Sequence, residues 1–151
     1  MAVTYDKISY YRIEQGLKDV INDDFPNVYV SPRFVDAGNE FIRINLNSST
    51  NLQSTNNFED REYEVVVRYY FKGDISNEQQ NESVKAKIDR LKKKLLDSQW
   101  KESIPDRLNA RWDALQVDTI EYDIQDDENA EIPDLYIAEL MLSIIYTYTF
   151  I

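Results

Sequence analysis

The chain has no cysteine and no histidine, and only three glycines and four prolines in 151 residues. Without cysteine there is no disulfide framework and no thiolate nucleophile, which suits a protein made and assembled inside a cell. Without histidine, the commonest general base near neutral pH and the commonest transition-metal ligand are both missing. Gly16, Gly38 and Gly73 are too scattered to form a phosphate-cradling loop. The serines stand in polar stretches, outside any glycine-flanked strand–turn–helix elbow. Positive charge is also scarce, with Lys plus Arg at 17 against Asp plus Glu at 28 and a net charge of −11. Wrapping nucleic acid non-specifically needs clustered cations, so that role is excluded. Neither catalysis nor a cofactor is expected.

Acidic clusters at Asp23–Asp24, Glu59–Glu64 and Asp126–Glu131 invite a metal, but none alternates its carboxylates around a glycine as a calcium loop does. Solvated acidic loops and strand faces are the expected reading, and no metal site is assigned. Glu62, Glu64 and Arg68 share a strand face in a nuclease-like way, without the second carboxylate–x–lysine element such a site needs. The run "LKKKL" at 91–95 complements a helix C-terminus.

No long hydrophobic run is present either. The most apolar stretch, "DLYIAELMLSIIYTYTFI" at 134–151, carries Glu139 and several hydroxyls and repeats every second residue. A membrane helix needs about 20 apolar residues, so this stretch reads as a strand and no membrane partner is expected. The N-terminus lacks the basic and apolar regions of a signal peptide.

What is present is ample for a core: 42% hydrophobic residues, 13% of the chain aromatic, and a length that fits one domain over 1–151. Residues 4–22 have Ile13, Leu17, Val20 and Ile21 on one helical face, extended by Tyr10, with Thr4 or Asp6 as a cap. A short edge strand with Pro32 is expected over 28–34. Alternation predicts strands at 40–47 and 61–73. Between them, "NSSTNLQSTNNFED" at 47–60 is almost wholly polar and predicts a mobile hairpin loop. A second helix is expected over 75–100, capped by Ser76 or Asn77, with Val84, Ile88, Leu91 and Leu95 as its apolar stripe. Residues 100–114 are ambiguous around Pro105, with a helical turn possible at 106–111. Strands at 115–124 and 135–150 flank an acidic loop. The fold class is α+β: an antiparallel or mixed sheet of four to five strands, two main helices packed on it, and a long β-hairpin.

Residues 135–150 as one strand would extend about 50 Å at roughly 3.3 Å per residue, so the strand must bend or reach past its own sheet. Tyr136, Ala138, Leu140, Leu142, Ile144, Tyr146, Tyr148 and Phe150 are assigned to the helices. On the opposite face Val66, Tyr70, Ile137, Met141 and Ile145 are left over, and a sheet covered on one side should be polar there. Tyr70, Ile137, Met141 and Ile145 are therefore the candidate subunit interface.

The order "YYRIEQGLKDVI", short strand, long-tipped hairpin, "VKAKIDRLKKKLL", then "VDTIEYDIQDDENAEIPDLYIAELMLSIIYTYTF" resembles the tail-terminator and tail-completion (head–tail joining) proteins of tailed bacteriophages. The resemblance implies a virion structural protein, assembled in the host cytoplasm and placed in the tail or neck. It implies a homo-oligomer, typically a hexameric ring, that caps the tail tube, joins the head-side connector or neck proteins, and passes DNA through an acidic channel without binding it specifically. The loop at 47–60, with Asn51, Leu52, Gln53 and Phe58, would then dock on the tube or connector. A neck, connector-adaptor or baseplate role is the nearest alternative; an acidic DNA-mimic binding protein is the alternative from another class.

Overall fold

The computed structural model describes residues 8–36, 38–73, 78–103, 110–125 and 135–149. A five-stranded mixed sheet has the order β1-β2-β3-β5-β4, with β1 Val28–Val30, β2 Glu40–Ser54, β3 Phe58–Lys72, β4 Ala114–Gln125 and β5 Leu135–Thr149. β1 is parallel to β2; every other neighbour is antiparallel. Two α-helices, α1 Gln15–Asn22 and α2 Glu78–Leu96, pack on one face. The expected α+β class, the mixed sheet and the long hairpin are all present.

The first helix opens differently from the 3.6-residue pattern. Residues Ile8–Glu14 form a π-helical segment before α1 begins. Its wider i→i+5 winding keeps Ile13 in the core but turns Tyr10 away from that face. Tyr10 is 47% exposed, so it does not extend the apolar stripe. Leu17, Val20 and Ile21 are buried as expected. The candidate caps Thr4, Asp6, Ser76 and Asn77, the turn proposed at 106–111 (all but its last two residues), the acidic loop expected at 125–134 (all but Gln125, which ends β4) and Phe150 lie outside the described residues.

α2 buries Val84, Ile88, Leu91 and Leu95, the predicted stripe. Opposite them stand Ile42 and Ile44 of β2, Val65, Val67 and Tyr69 of β3, and Tyr136, Ala138, Leu140, Leu142 and Ile144 of β5. Trp112 closes the core between these layers. It is 2% exposed, and its indole Nε1 donates to Ser98 Oγ at 3.1 Å. A Cβ at Gly16 of α1 would stand 3.2 Å from Trp112 Cζ3, so the helix approaches the indole as closely as it does because residue 16 has no side chain.

The largest departure is at 47–60. This stretch is not a loop: β2 runs to Ser54 and β3 starts at Phe58, with pairing one for one from Ser48↔Glu64 to Asn51↔Arg61 and, past Leu52, from Gln53↔Asp60 to Ser54↔Glu59. The turn shrinks to Thr55–Phe58, where Thr55 N–H donates to Phe58 O at 2.8 Å and Thr55 Oγ1 accepts from Asn57 and Phe58 N–H. The polar composition reports that these side chains lack a core; their backbone groups are paired regardless. Register shifts between Leu46 and Ser48 and between Asn51 and Gln53 add local twist.

This also resolves the length of the last strand. β5 does not reach beyond its own sheet, because β3 is equally long and pairs with it from Phe58↔Thr149 to Lys72↔Leu135. The edge strand β1 is shorter than the expected 28–34, ending before Ser31 and Pro32. Beyond it the chain folds back over the sheet.

Replacing Gly16 by Val places branched carbons against Trp112 in a filled core. The expected outcome is a loss of about 1–3 kcal/mol in urea unfolding followed by tryptophan fluorescence; an unchanged midpoint would show that the indole is free to move.

Candidate functional site

Side chains alternate across the strands, so residues out of phase with the core line the second face of the sheet. No helix among the described residues covers it. The registers align its side chains in rows: Phe41, Tyr70, Ile137 and Asp123; then Arg43, Arg68, Glu139 and Glu121; then Asn45, Val66, Met141 and Thr119; then Ser48, Glu64, Ser143 and Gln116; then Thr50, Glu62, Ile145 and Ala114.

The first row is covered by the chain itself. Phe41 and Tyr70 stack with ring centroids 4.7 Å apart, Tyr29 stacks on Phe41, and Phe34 meets Tyr70 edge-on at 5.3 Å. Residues 31–36 are held over them: Tyr29 Oη donates to Val35 O at 2.8 Å, and Arg43 Nη1 donates to Pro32 O at 3.2 Å. Phe41, Tyr70 and Leu135 form a second, smaller core, with Tyr29 and Ile137 packed against it. Tyr70 is 4% exposed. As a subunit-contact residue it is therefore a correction: its ring is already occupied by Phe34 and Phe41. Burial raises its phenol pKa. Phe34 and Val35 themselves are exposed.

The second row is ionic. Arg68 Nε donates to Glu139 Oε2 at 2.8 Å, both side chains being 28% exposed. The nuclease-like reading of Glu62, Glu64 and Arg68 thus dissolves, since Arg68 serves Glu139 and Glu64 accepts from Ser48 Oγ. Ser143 Oγ donates to Asp118, and Thr147 Oγ1 to Asp60 at 2.6 Å. Among the described residues no set of three or more carboxylates is placed to hold a metal. The face is acidic, with Asp60, Glu62, Glu64, Asp118, Glu121, Asp123 and Glu139 outweighing Arg43, Arg68 and Lys72.

Of the remaining interface candidates, Ile137, Met141 and Ile145 are half-buried at alternate levels of β5, separated by Glu139 and Ser143. Asn51, Leu52, Gln53 and Phe58 lie at the turn end of the β2–β3 hairpin, with Asn51 and Gln53 on either side of the register shift at Leu52. Leu52 is 49% exposed, and Asn51 Nδ2 donates to Glu59 Oε2 at 3.1 Å. Arg61 steadies this end, with Nε donating to Glu59 Oε1 at 2.6 Å and Nη1 to Ser49 Oγ at 3.1 Å; the guanidinium hydrogen bond is the main reason the Glu59 pKa is lowered. Sequence reading missed Phe34, Phe41 and Arg43. Their aromatic and cationic character was visible, but not the fold-back after Pro32 that joins them.

A cleft of about 660 Å³ lies between the C-terminal ends of α1 and α2, lined by Asp23, Asp24, Arg90, Lys93, Lys94, Asp97 and Arg111 among others. Its charges answer one another: Arg90 and Lys94 each reach Asp24 at 3.3 Å, and Arg111 approaches Asp19 at 3.8 Å. The basic run at 91–95 thereby does what helix C-termini favour, placing cations near the negative end of the dipole.

Tyr70→Ala should cost the folded monomer about 3–5 kcal/mol in urea unfolding, as for a buried aromatic. Arg68→Ala, removing a half-exposed pair, should cost less than about 1 kcal/mol. The Asp24 pKa is lowered from 3.8, chiefly by the Lys94 hydrogen bond. A depressed carboxylate stabilises above its ordinary pKa and loses that contribution as pH falls through the folded value. Asp24→Asn should flatten the acid limb of the stability-versus-pH curve below about pH 4 and leave its neutral slope unchanged. The chain matches no protein-family model and no curated protein sequence.

Proposed function

We propose that the chain is a non-catalytic virion structural protein, a tail terminator whose copies close into a ring that caps the tail tube and joins it to the head-side connector. The observation that carries this reading is the one-sided sheet: both helices pack on one face, while the other, beyond its Phe41–Tyr70 end, is uncovered by any described residues, acidic and studded with half-buried apolar residues. On this reading Ile137, Met141 and Ile145 contact a neighbouring subunit. The arm end, with Asn51, Leu52, Gln53 and Phe58, docks on the tube or connector. A net charge of −11 suits a channel through which DNA slides, because repulsion prevents non-specific adhesion. The ring number typical of the resembling family is six.

A second reading draws on the same carboxylates: Glu62, Glu64, Glu121 and Asp123 on one face would let the protein imitate DNA and occupy a DNA-binding enzyme. It predicts competition with duplex DNA for that enzyme and no affinity for tail tubes.

Incubation with purified tail tubes, followed by electron microscopy, separates these readings. Rings bound selectively at one tube end are the expected result. Binding only to a portal complex would move the protein to the neck, and monomers at every concentration by light scattering would sink the ring. Leu52→Ser combined with Phe58→Ser, at the end of the hairpin where Leu52 is exposed, should keep the monomer folded but abolish tube attachment.

A further inference from the structure

Among the described residues nothing pairs with the outer edge of the far half of β2. β1 covers β2 only opposite Ile42–Ile44, and residues 47–54 are exposed. Exposed edges are normally blunted with charge or proline. In a chain that is 30% charged, "NSSTNLQS" has neither. Its register shifts twist the arm but leave Ser48–Asn51 paired one for one with Glu64–Arg61. The outward backbone groups can be located. Ile42 N–H donates to Asn27 O, and Ile44 O accepts from Ser31 N–H, both at 3.1 Å, so these residues turn away from β3. They stand opposite Tyr69 and Val67; by the same alternation Ser49 and Asn51, opposite Tyr63 and Arg61, also aim N–H and C=O outward.

The sheet has one other end. β4 is its last strand. Gln99 Oε1 takes the Leu115 N–H at 2.8 Å, and among the described residues nothing pairs with the outer edge of Val117–Asp123. That segment exposes Asp118, Glu121 and Asp123. Two β4 edges meeting would oppose like charges, whereas the far half of β2 brings none. β2 against another β2 is an isologous contact that closes at two copies; a ring needs two different surfaces.

We propose, resting on the ring reading above, that Ser48–Asn51 of β2 pairs antiparallel with Val117–Asp123 of β4 in a second copy, joining the sheets edge to edge around the ring. The strand directions agree: β2, β3, β5 and β4 alternate, so the next β2 continues the alternation with the acidic faces on one side. The offset agrees as well. Ile120 stands level with Leu140 and Val67, while Ser49 and Thr50 stand level with Tyr63 and Glu62. The shift is between four and five residues, about 15 Å along the strand, over four strands spanning about 19 Å. Closing such a sheet tilts the strands by about 40°, within the range of about 35–45° found in closed barrels.

Two measurements on the full chain test this. Ser49→Pro and Asn51→Pro remove outward N–H groups that β3 does not use; both variants should keep the wild-type circular dichroism and weaken assembly at least tenfold by light scattering. Because the chain has no cysteine, Thr50→Cys copies can be mixed with copies carrying Thr119→Cys or Glu121→Cys and oxidised, all three side chains lying on the acidic face. Disulfide-linked pairs from the mixture, and none from Thr50→Cys alone, are expected. Wild-type rings that persist in both proline variants without mixed cross-links overturn the edge pairing and leave the ring standing. Thr50→Cys linking to itself overturns it in favour of a two-fold dimer. If a proline variant misfolds, the cross-links decide. Wild type that never assembles sinks the ring reading and the edge pairing with it.

Discussion

The pairing of β3 with β5 is the constraint on which the rest of the structure depends. It runs without a break from Phe58↔Thr149 to Lys72↔Leu135 and joins two strands of 15 residues each. Because side chains alternate along each strand, this one register assigns every residue of both strands to a face. A slip by one residue would exchange the core row of Tyr136, Ala138, Leu140, Leu142 and Ile144 with the half-buried row that holds Glu139 and Ser143. The helices, Trp112 and the flanking strands then take positions that this central pair dictates.

The two faces are managed by different means. On one, α2 and α1 seal a continuous apolar core, and α1 sits close because Gly16 leaves room for Trp112. On the other, the described residues cover one end, folding 31–36 over Phe41 and Tyr70 and tying them through Tyr29 and Arg43. Beyond that small core the face is held by cross-strand polar pairs such as Arg68–Glu139 and Thr147–Asp60. Antiparallel sheets often keep one face in water, and here that face is acidic and structured by its own cross-strand pairs.

Much of the fold was legible in sequence wherever one face of an element meets a core. The α2 stripe, the core row of β5 and the alternation of β3 followed from periodicity alone, since burial selects apolar residues at the period of the element. The candidate site was less legible. Tyr70 read as a leftover aromatic because its cover, Phe34, comes from a segment 36 residues earlier whose path after Pro32 has no periodic signature. The arm was misread as a loop because polarity speaks for side chains, while strand formation there is decided by backbone partners on β3. Tyr10 left the predicted stripe because a π-helical start changes the winding.

By itself, the sequence determined the α+β class, the identity of the main core residues, the acidity, and the absence of thiol and imidazole chemistry. These are properties of composition and local period, which each segment carries on its own. Only the tertiary structure decided which strands are neighbours, that β5 inserts between β3 and β4, that residues 47–54 belong to a strand, and which edges of the sheet remain open. Those depend on hydrogen-bond partners distant along the chain: every peptide group carries the same donor and acceptor, so no local pattern distinguishes a backbone that will find a partner from one that will not.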